Sequence, residues 1–189
     1  MNKASTQQII IEAAIACIEK FGIKKTTTRK IAEEAGTNIA AINYYFQSKD
    51  DLIQRALGLS LDHMVEDLTI ILDKETQSFD KLLHEWIFYI VAGSLEYPGV
   101  FMAHMYGPLI EKTDSPAKTV FQEMLAKLSS KAVLAFPEIP KSHLENALSV
   151  MISTFMFTML APGFFINREN MTLEEEVNLY TSIFHNMIH

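Results

Sequence analysis

The chain has 189 residues and a formal net charge of -7, a length that fits one large domain, or a small one joined to a medium one, and excludes a long multidomain enzyme. Gly and Pro together supply only 13 residues, too few for the tight turns of a sandwich or barrel, so an all-α fold is expected. Apolar residues at 49% against 21% charged exclude a disordered chain and provide for a substantial core.

Taken from the N-terminus, Ser5 with Gln8 reads as a capping box. Ile10, Ala14, Cys17 and Phe21 then follow at helical spacing. Gly22 closes this helix. Thr27 is placed to cap a short second helix with Ile31, Ala32 and Ala35, which Gly36 breaks; Asn38 is placed to cap a third with Ile39, Ile42 and Phe46 inward. Ser48 with Asp51 opens a long fourth helix reaching about Asp73. Further helices are expected from about Phe79 to Tyr97 and through Val100 to Tyr106, with a stop at Gly107-Pro108. Ser115-Pro116, as cap and first helical residue, begins the next, to about Phe136. Ser142 with Glu145 opens one that ends at Pro162-Gly163, and Thr172 with Glu175 opens the last. The count is about nine helices, with no internal repeat.

Charge is distributed unevenly. Residues 1–60 carry eight Lys or Arg against six Asp or Glu, and the rest carries eight against seventeen. A mildly basic head on an acidic body suits a protein that touches a polyanion at one end. Cys17 is the only cysteine, so no intrachain disulfide forms, and with no signal-peptide pattern the expected compartment is the cytoplasm. The longest uncharged run, Asn146 to Asn167, is cut by Pro162-Gly163 and interrupted by Ser and Thr; it reads as a buried or partner-facing helix rather than a membrane span.

The stretch Thr27–Phe46 reads as helix, three-residue turn with Gly, helix, which is the helix-turn-helix plan. Its second helix would turn Thr37, Ala40, Ala41, Asn43, Tyr44 and Tyr45 outward, neutral groups able to enter a major groove. Asn38 begins that helix, and Lys24, Lys25, Thr27, Thr28 and Lys49 lie near helix starts, where side chains and backbone N–H groups clamp phosphates. The two tyrosines could equally be half-buried aromatics of a helix corner, and the lysines an ordinary solvated face.

The string Gly22, Thr26-Thr27, Ile31-Ala32, Ala35-Gly36 and Asn43-Tyr44-Tyr45-Phe46-x-Ser48-Lys49-x-x-Leu52 resembles the TetR (tetracycline-repressor) family of bacterial transcriptional regulators, over about residues 5–55. The resemblance implies a three-helix DNA-binding head, here 1–48, a helical ligand-binding and dimerisation body, here 49–189, and a homodimer made through the last two helices. It also implies phosphate contacts at Thr27 and Lys49, a backbone contact at Tyr45 and a core anchor at Phe46. Asn43 stands where many members have Tyr; its amide can pair bidentately with adenine.

The remaining chain is rich in methionines and aromatics. Trp86, Tyr89, Phe101, Met102, Met105, Phe121, Met124, Met151 and Phe155 are candidates to line an adaptable apolar pocket, although each alone is more often plain core. With His63, His104, Tyr89 and Tyr106 as the few polar handles, the effector would be small and mostly apolar. Leu144, Leu148, Met151, Ile152, Phe155 and Met159 form one apolar face before Pro162; Leu173, Val177, Tyr180, Phe184 and Met187 form another on the last helix. Both could pair with their copies as a four-helix interface or face the monomer's own core.

Cys17 reads as a small core residue, and His185 with His189 lacks the Glu of a His-Glu-x-x-His site. With no catalytic triad, phosphate loop or cysteine pair, no cofactor, metal or catalysis is expected. The expected function is a cytoplasmic homodimeric repressor that binds a double-stranded, pseudo-palindromic operator and is released by its effector. The alternative is an all-helical carrier of apolar ligands that never meets DNA.

Overall fold

A computed structural model describes residues 3–74, 78–111, 116–164 and 171–189, with the side chains of residues 3–5 and 111 excepted. Among the described residues the chain is all-α, with nine α-helices: α1 Lys3–Phe21, α2 Thr28–Glu34, α3 Ile39–Tyr45, α4 Lys49–Leu72, α5 Phe79–Glu96, α6 Pro98–Tyr106, α7 Pro116–Ala135, α8 Lys141–Leu160 and α9 Leu173–Ile188. A 3-10 turn, Ile23–Lys25, follows α1, and a π turn, Gly107–Glu111, extends α6. The chain forms two compact units. The first comprises Met1–Met64 with Tyr97–Lys118, and the second Val65–Glu96 with Thr119–His189.

The first unit is built on one apolar cluster. Ile10, Ala14, Cys17 and Ile18 from α1 meet Ile31 and Ala32 of α2, Ile42 and Phe46 at α3, Leu52, Ile53 and Ala56 of α4, and Val100 and Ala103 of α6. Burial pushes the Cys17 thiol up from its ordinary pKa, as befits a small core residue with no means of holding a charge. The α1–α6 approach is close enough to involve backbone: a Cβ on Gly99 would stand 2.5 Å from the carbonyl oxygen of Glu19. The Glu19 carboxylate accepts from the Val100 N–H at 3.0 Å. It thus satisfies a free N–H group at the start of α6, where no local side chain caps the helix. On α4, Ser60 Oγ donates to the Leu57 carbonyl at 3.0 Å and meets His104 Nε2 at 2.8 Å. Its single proton is spent on Leu57, so the imidazole donates from Nε2. Burial lowers the pKa of His104 to about 4.

The second unit has an aromatic interior. Phe79 of α5 lies edge-on to Phe136 and tilted to Phe184 of α9, while Trp86 and Phe155 meet at 6.2 Å and 70°. Helix α9 packs on α5 and α8. Glu176 is buried in this interior and accepts from the Tyr180 hydroxyl at 2.7 Å.

Several sequence expectations are corrected. Ser5 falls inside α1 rather than at its cap, and Gln8 instead donates to Glu12 one turn on. Helix α6 begins at Pro98, which suits the first helical turn because that turn needs no N–H from it. Gly107-Pro108 does not stop this helix; a wider π turn accommodates the proline. Helix α8 starts at Lys141 after Pro140, so Ser142 lies within it, and Glu145 accepts from Ser129 instead. The Ser115 cap lies outside the described residues. The Thr172–Glu175 capping box forms with both reciprocal bonds. No single helix among the described residues is long and apolar enough to cross a membrane.

Candidate nucleic-acid interface

Local hydrogen bonds set the conformation of Thr26–Asp51. Gly22 leaves α1 with φ 75°, and the buried Thr26 hydroxyl sits between the carbonyls of Cys17 and Gly22, at 3.1 and 2.9 Å. This pins the strand of chain entering α2 to the end of α1. Thr27 Oγ1 then accepts from Lys30 N and caps α2. At the other end of α2, Gly36 N–H donates to Glu33 O and Thr37 N–H to Ala32 O, at 3.2 and 2.9 Å. These two bonds form a Schellman motif, which needs the positive φ of 62° that Gly36 supplies. Asn38 Oδ1 accepts from Ala41 N–H at 2.9 Å and caps α3.

Helix α3 is therefore fixed at both ends, with Ile42 and Phe46 buried beneath it. Asn38, Ala40, Asn43 and Tyr44 are exposed, and Thr37 and Ala41 half-buried. The two tyrosines divide. Tyr44 is 68% exposed, whereas Tyr45 is half-buried against the unit's core, a correction to its reading as fully outward. Their rings meet edge-on at 5.0 Å. Ile39, expected inward, is 45% exposed and joins the outward surface, where its methyl groups suit contact with a thymine methyl. Its spacing of three from Ile42 had marked it as core, yet as the first residue after the cap it points off the buried side.

Beyond α3, Ser48 Oγ accepts from Asp51 N–H at 3.0 Å, and Asp51 Oδ2 accepts from Gln47 N–H at 3.1 Å. The hydrogen bond from Arg55, then that from the Gln47 N–H, holds the Asp51 carboxyl below its ordinary pKa. Half-buried Lys49 begins α4 beside this capped turn. Lys25 and Thr27 are exposed and Thr28 half-buried. Lys30 Nζ donates to the Lys25 carbonyl at 2.9 Å and lies 4.0 Å over the Phe21 ring; Arg29 pairs with Glu33 at 3.0 Å.

The candidate effector residues are distributed over both units. Trp86, Met124, Met151 and Phe155 are buried in the second, with Phe121 and Tyr89 half-buried there. The Tyr89 hydroxyl donates to Asp67 at 2.6 Å, and burial together with that carboxylate raises its pKa. Phe101, Met102 and Met105 belong to the first unit, with Met102 exposed. Sequence reasoning overlooked one feature: Trp86 Nε1, fully buried, has no hydrogen-bond partner among the described residues. Composition offers no signal for this, since pairing is a tertiary property. The α8 and α9 faces offered for dimerisation are mostly spent internally. Leu144, Leu148, Met151, Phe155, Val177, Tyr180 and Phe184 are buried in the second unit, leaving Val150 and Phe157 exposed and Leu179, Ile183 and Met187 half-buried.

Residues 10–56 match the family described as bacterial regulatory proteins, tetR family. The HTH-type nicotine-responsive transcriptional repressor HdnoR of Paenarthrobacter nicotinovorans is 34% identical over 73 residues, covering 39% of this chain and 38% of that protein. The matched stretches span less than half the length of the curated relatives. Among solved structures, a TetR-like transcriptional regulator from Rhodococcus sp. RHA1 superposes with a TM-score of 0.72 at 15% identity, over 98% of this chain and 97% of that one. The regulator FadR from Bacillus subtilis, solved with stearoyl-CoA, gives 0.64 at 17%, over 96% and 97%. At these identities the structural likeness shows the fold.

Proposed function

Because the chain belongs to the TetR family of bacterial regulatory proteins, we propose that it is a ligand-responsive transcriptional repressor acting in the cytoplasm on a double-stranded, pseudo-palindromic operator. Residues 1–48 serve as the DNA-binding head and 49–189 as the ligand-binding and dimerisation body. The observation that carries the reading is the exposed side of α3: Asn43 and Tyr44 stand outward on a helix capped by Asn38 and followed by the Ser48–Lys49 start of α4. An exposed helix of neutral polar tips, flanked by phosphate-binding helix starts, is what base readout in a major groove requires.

Asn43 reads a base through its amide. Lys25, Thr27, Thr28, Thr37, Tyr44 and Lys49 hold the backbone, and Tyr45 sets the height of α3 from the core side. Ala40 and Ala41 let the helix approach closely. Two copies are needed, since half-sites about one DNA turn apart, ~34 Å, supply the affinity that one seven-residue helix lacks. Val150 and Phe157 of α8 with Leu179 and Ile183 of α9 supply the apolar surface for pairing.

The effector is small and mostly apolar and carries a hydrogen-bond acceptor. That is supported by Trp86, whose buried N–H has no acceptor among the described residues and whose ring packs on Phe155, an arrangement costing about 1–3 kcal/mol until it is satisfied. The named relatives fit this class, one being nicotine-responsive and another solved with stearoyl-CoA. Release of the operator requires the effector to bind the DNA-incompetent state more tightly; equal affinity for both states changes nothing.

Selection from random duplex DNA tests the reading. Enriched sites should form inverted repeats, with binding that falls steeply with salt. Asn43→Ala should relax preference at one base pair per half-site by about 1–3 kcal/mol, and Lys49→Ala should weaken all sequences alike. Failure to retain any duplex at low salt removes the proposal.

A further inference from the structure

Helix α3 contains no charged residue, and its outward surface divides in two. Asn43 and Tyr44 bring exposed polar tips. Ahead of them stand Ile39 and Ala40, also exposed, with Thr37 and Ala41 half-buried nearby. Ile39 has the longest apolar side chain of this half and keeps 45% of its surface open. Core packing does not account for it, because Ile42, three residues on and 2% exposed, fills the buried side of the helix. A single exposed isoleucine is ordinary in itself. This one shares a stripe with Asn43, four residues later, at a Cβ separation of about 5–6 Å. With base pairs stacked ~3.4 Å apart, the two side chains reach base edges one or two steps from each other.

The chemistry of the major groove then selects what Ile39 can meet. Guanine, adenine and cytosine present only hydrogen-bond donors and acceptors there, whereas thymine adds an apolar group, its 5-methyl. Isoleucine pairs with no donor or acceptor. Pressed on a polar edge, it strips water from that edge and returns no hydrogen bond. Pressed on a methyl, it buries apolar area on both partners.

We infer that Ile39 reads the 5-methyl group of a pyrimidine beside the base that Asn43 contacts. The assignment rests on the docking of α3 proposed above and adds a second element to its readout, an apolar one next to a hydrogen-bonding one. It also gives that position a form of regulation. Thymine and cytosine differ at C4, a carbonyl against an amino group, and isoleucine hydrogen-bonds to neither. A 5-methylcytosine therefore meets the same requirement as thymine, and methylation of a cytosine at this position raises operator affinity.

The test starts from duplexes selected out of random sequence by the full-length protein and by Ile39→Ala, and locates the position whose thymine preference the variant loses. Four duplexes then differ there alone: thymine or deoxyuridine opposite adenine, cytosine or 5-methylcytosine opposite guanine. Anisotropy titrations should show deoxyuridine weaker than thymine, and cytosine weaker than 5-methylcytosine. Each difference should be about fourfold per half-site, the worth of burying one methyl-sized group. In Ile39→Ala both differences should vanish, and in Ile39→Val, which keeps a branched apolar side chain, they should persist. Deoxyuridine at a thymine outside the reach of α3 should change nothing, which separates contact from sequence-dependent DNA shape. Urea midpoints of both variants should match that of the unsubstituted protein, since the side chain is exposed. Equal binding of the thymine and deoxyuridine duplexes, a methyl effect that survives in Ile39→Ala, or no position losing its thymine preference in that variant would each overturn the assignment and leave DNA binding in place. Failure to retain any duplex at low salt would remove the assignment together with the DNA-binding reading.

Discussion

The Thr26–Asp51 stretch and the interior of the second unit are held by different kinds of force. In the first, short side chains close hydrogen bonds to backbone three to nine residues away: Thr26 on Cys17 and Gly22, Thr27 on Lys30, Asn38 on Ala41, Ser48 on Asp51. In the second, aromatic rings from distant segments meet, Phe79 with Phe136 and Phe184, Trp86 with Phe155. Local bonds leave the outer side of α3 exposed, because the helix is held at its ends and by a few inward residues. Ring packing uses up the surface that makes it, so what remains for a ligand there is set by how α5, α8 and α9 close on one another.

The largest expected departure from that contrast is at α6, where a stretch distant in sequence joins the first unit. His104 is neutral there, with its pKa lowered from about 6.5 to about 4. The unfolded chain takes up a proton as pH falls through 6.5, whereas the folded chain resists until near 4. Stability from this group is thus complete above 6.5 and lost progressively between 6.5 and 4, by roughly 2–3 kcal/mol at most. Urea unfolding across that interval should show the decline, and His104→Gln, which keeps a donor for Ser60, should flatten it. Gly99→Ala comes next. Its Cβ would press on Glu19 backbone at 2.5 Å, so a loss of about 1–3 kcal/mol is expected, or a fall in Tm of about 2–12 °C. Gly93→Ala, in α5 of the second unit with nothing within 4 Å of the added Cβ, should be neutral or raise stability by up to about 1 kcal/mol.

The same contrast explains which features could be read from sequence. Caps and a glycine turn are rules of a few residues, so Thr27, Gly36, Asn38 and the Thr172–Glu175 box were legible. Ser5 and Ser142 obey the same rule of composition, yet their helices start earlier, at Lys3 and Lys141. Ile39 obeys core periodicity and is exposed, because a seven-residue helix has too few turns for its period to fix which side its first residue takes. Met102 and Met151 have the same composition signature, and one is exposed while the other is fully buried. Only the packing of helices far apart in sequence decides between them, and the lack of a partner for Trp86 Nε1 among the described residues is of that kind too.

The two adjacent tyrosines sharpen the comparison within one helix. Tyr45→Ala removes a ring packed on the core and should cost about 1–3 kcal/mol of stability together with operator affinity. Tyr44→Ala, at a 68% exposed position, should leave the denaturation midpoint within about 0.5 kcal/mol and lower operator affinity alone. Paired measurement of unfolding and of duplex binding by anisotropy separates the two, and an equal stability loss at both would mean that α3 leans on its whole surface.

The cap at Asn38 tests the finest distinction, whether positioning and contact are separable. Asn38→Ala removes the acceptor for Ala41 N–H and should cost about 1 kcal/mol. Operator affinity should fall with it if α3 enters the groove as proposed, since the helix then frays at its base-reading end. Asn38→Asp keeps the cap and suits the positive end of the helix dipole, so stability should hold, while under the proposed docking its carboxylate would repel phosphates and weaken every sequence alike. Asn38→Ser caps about as well as Asn without charge. Retained affinity in Asn38→Ser alongside the loss in Asn38→Asp would assign Asn38 to holding the helix, whereas a fall in both at unchanged stability would assign its amide to the DNA itself.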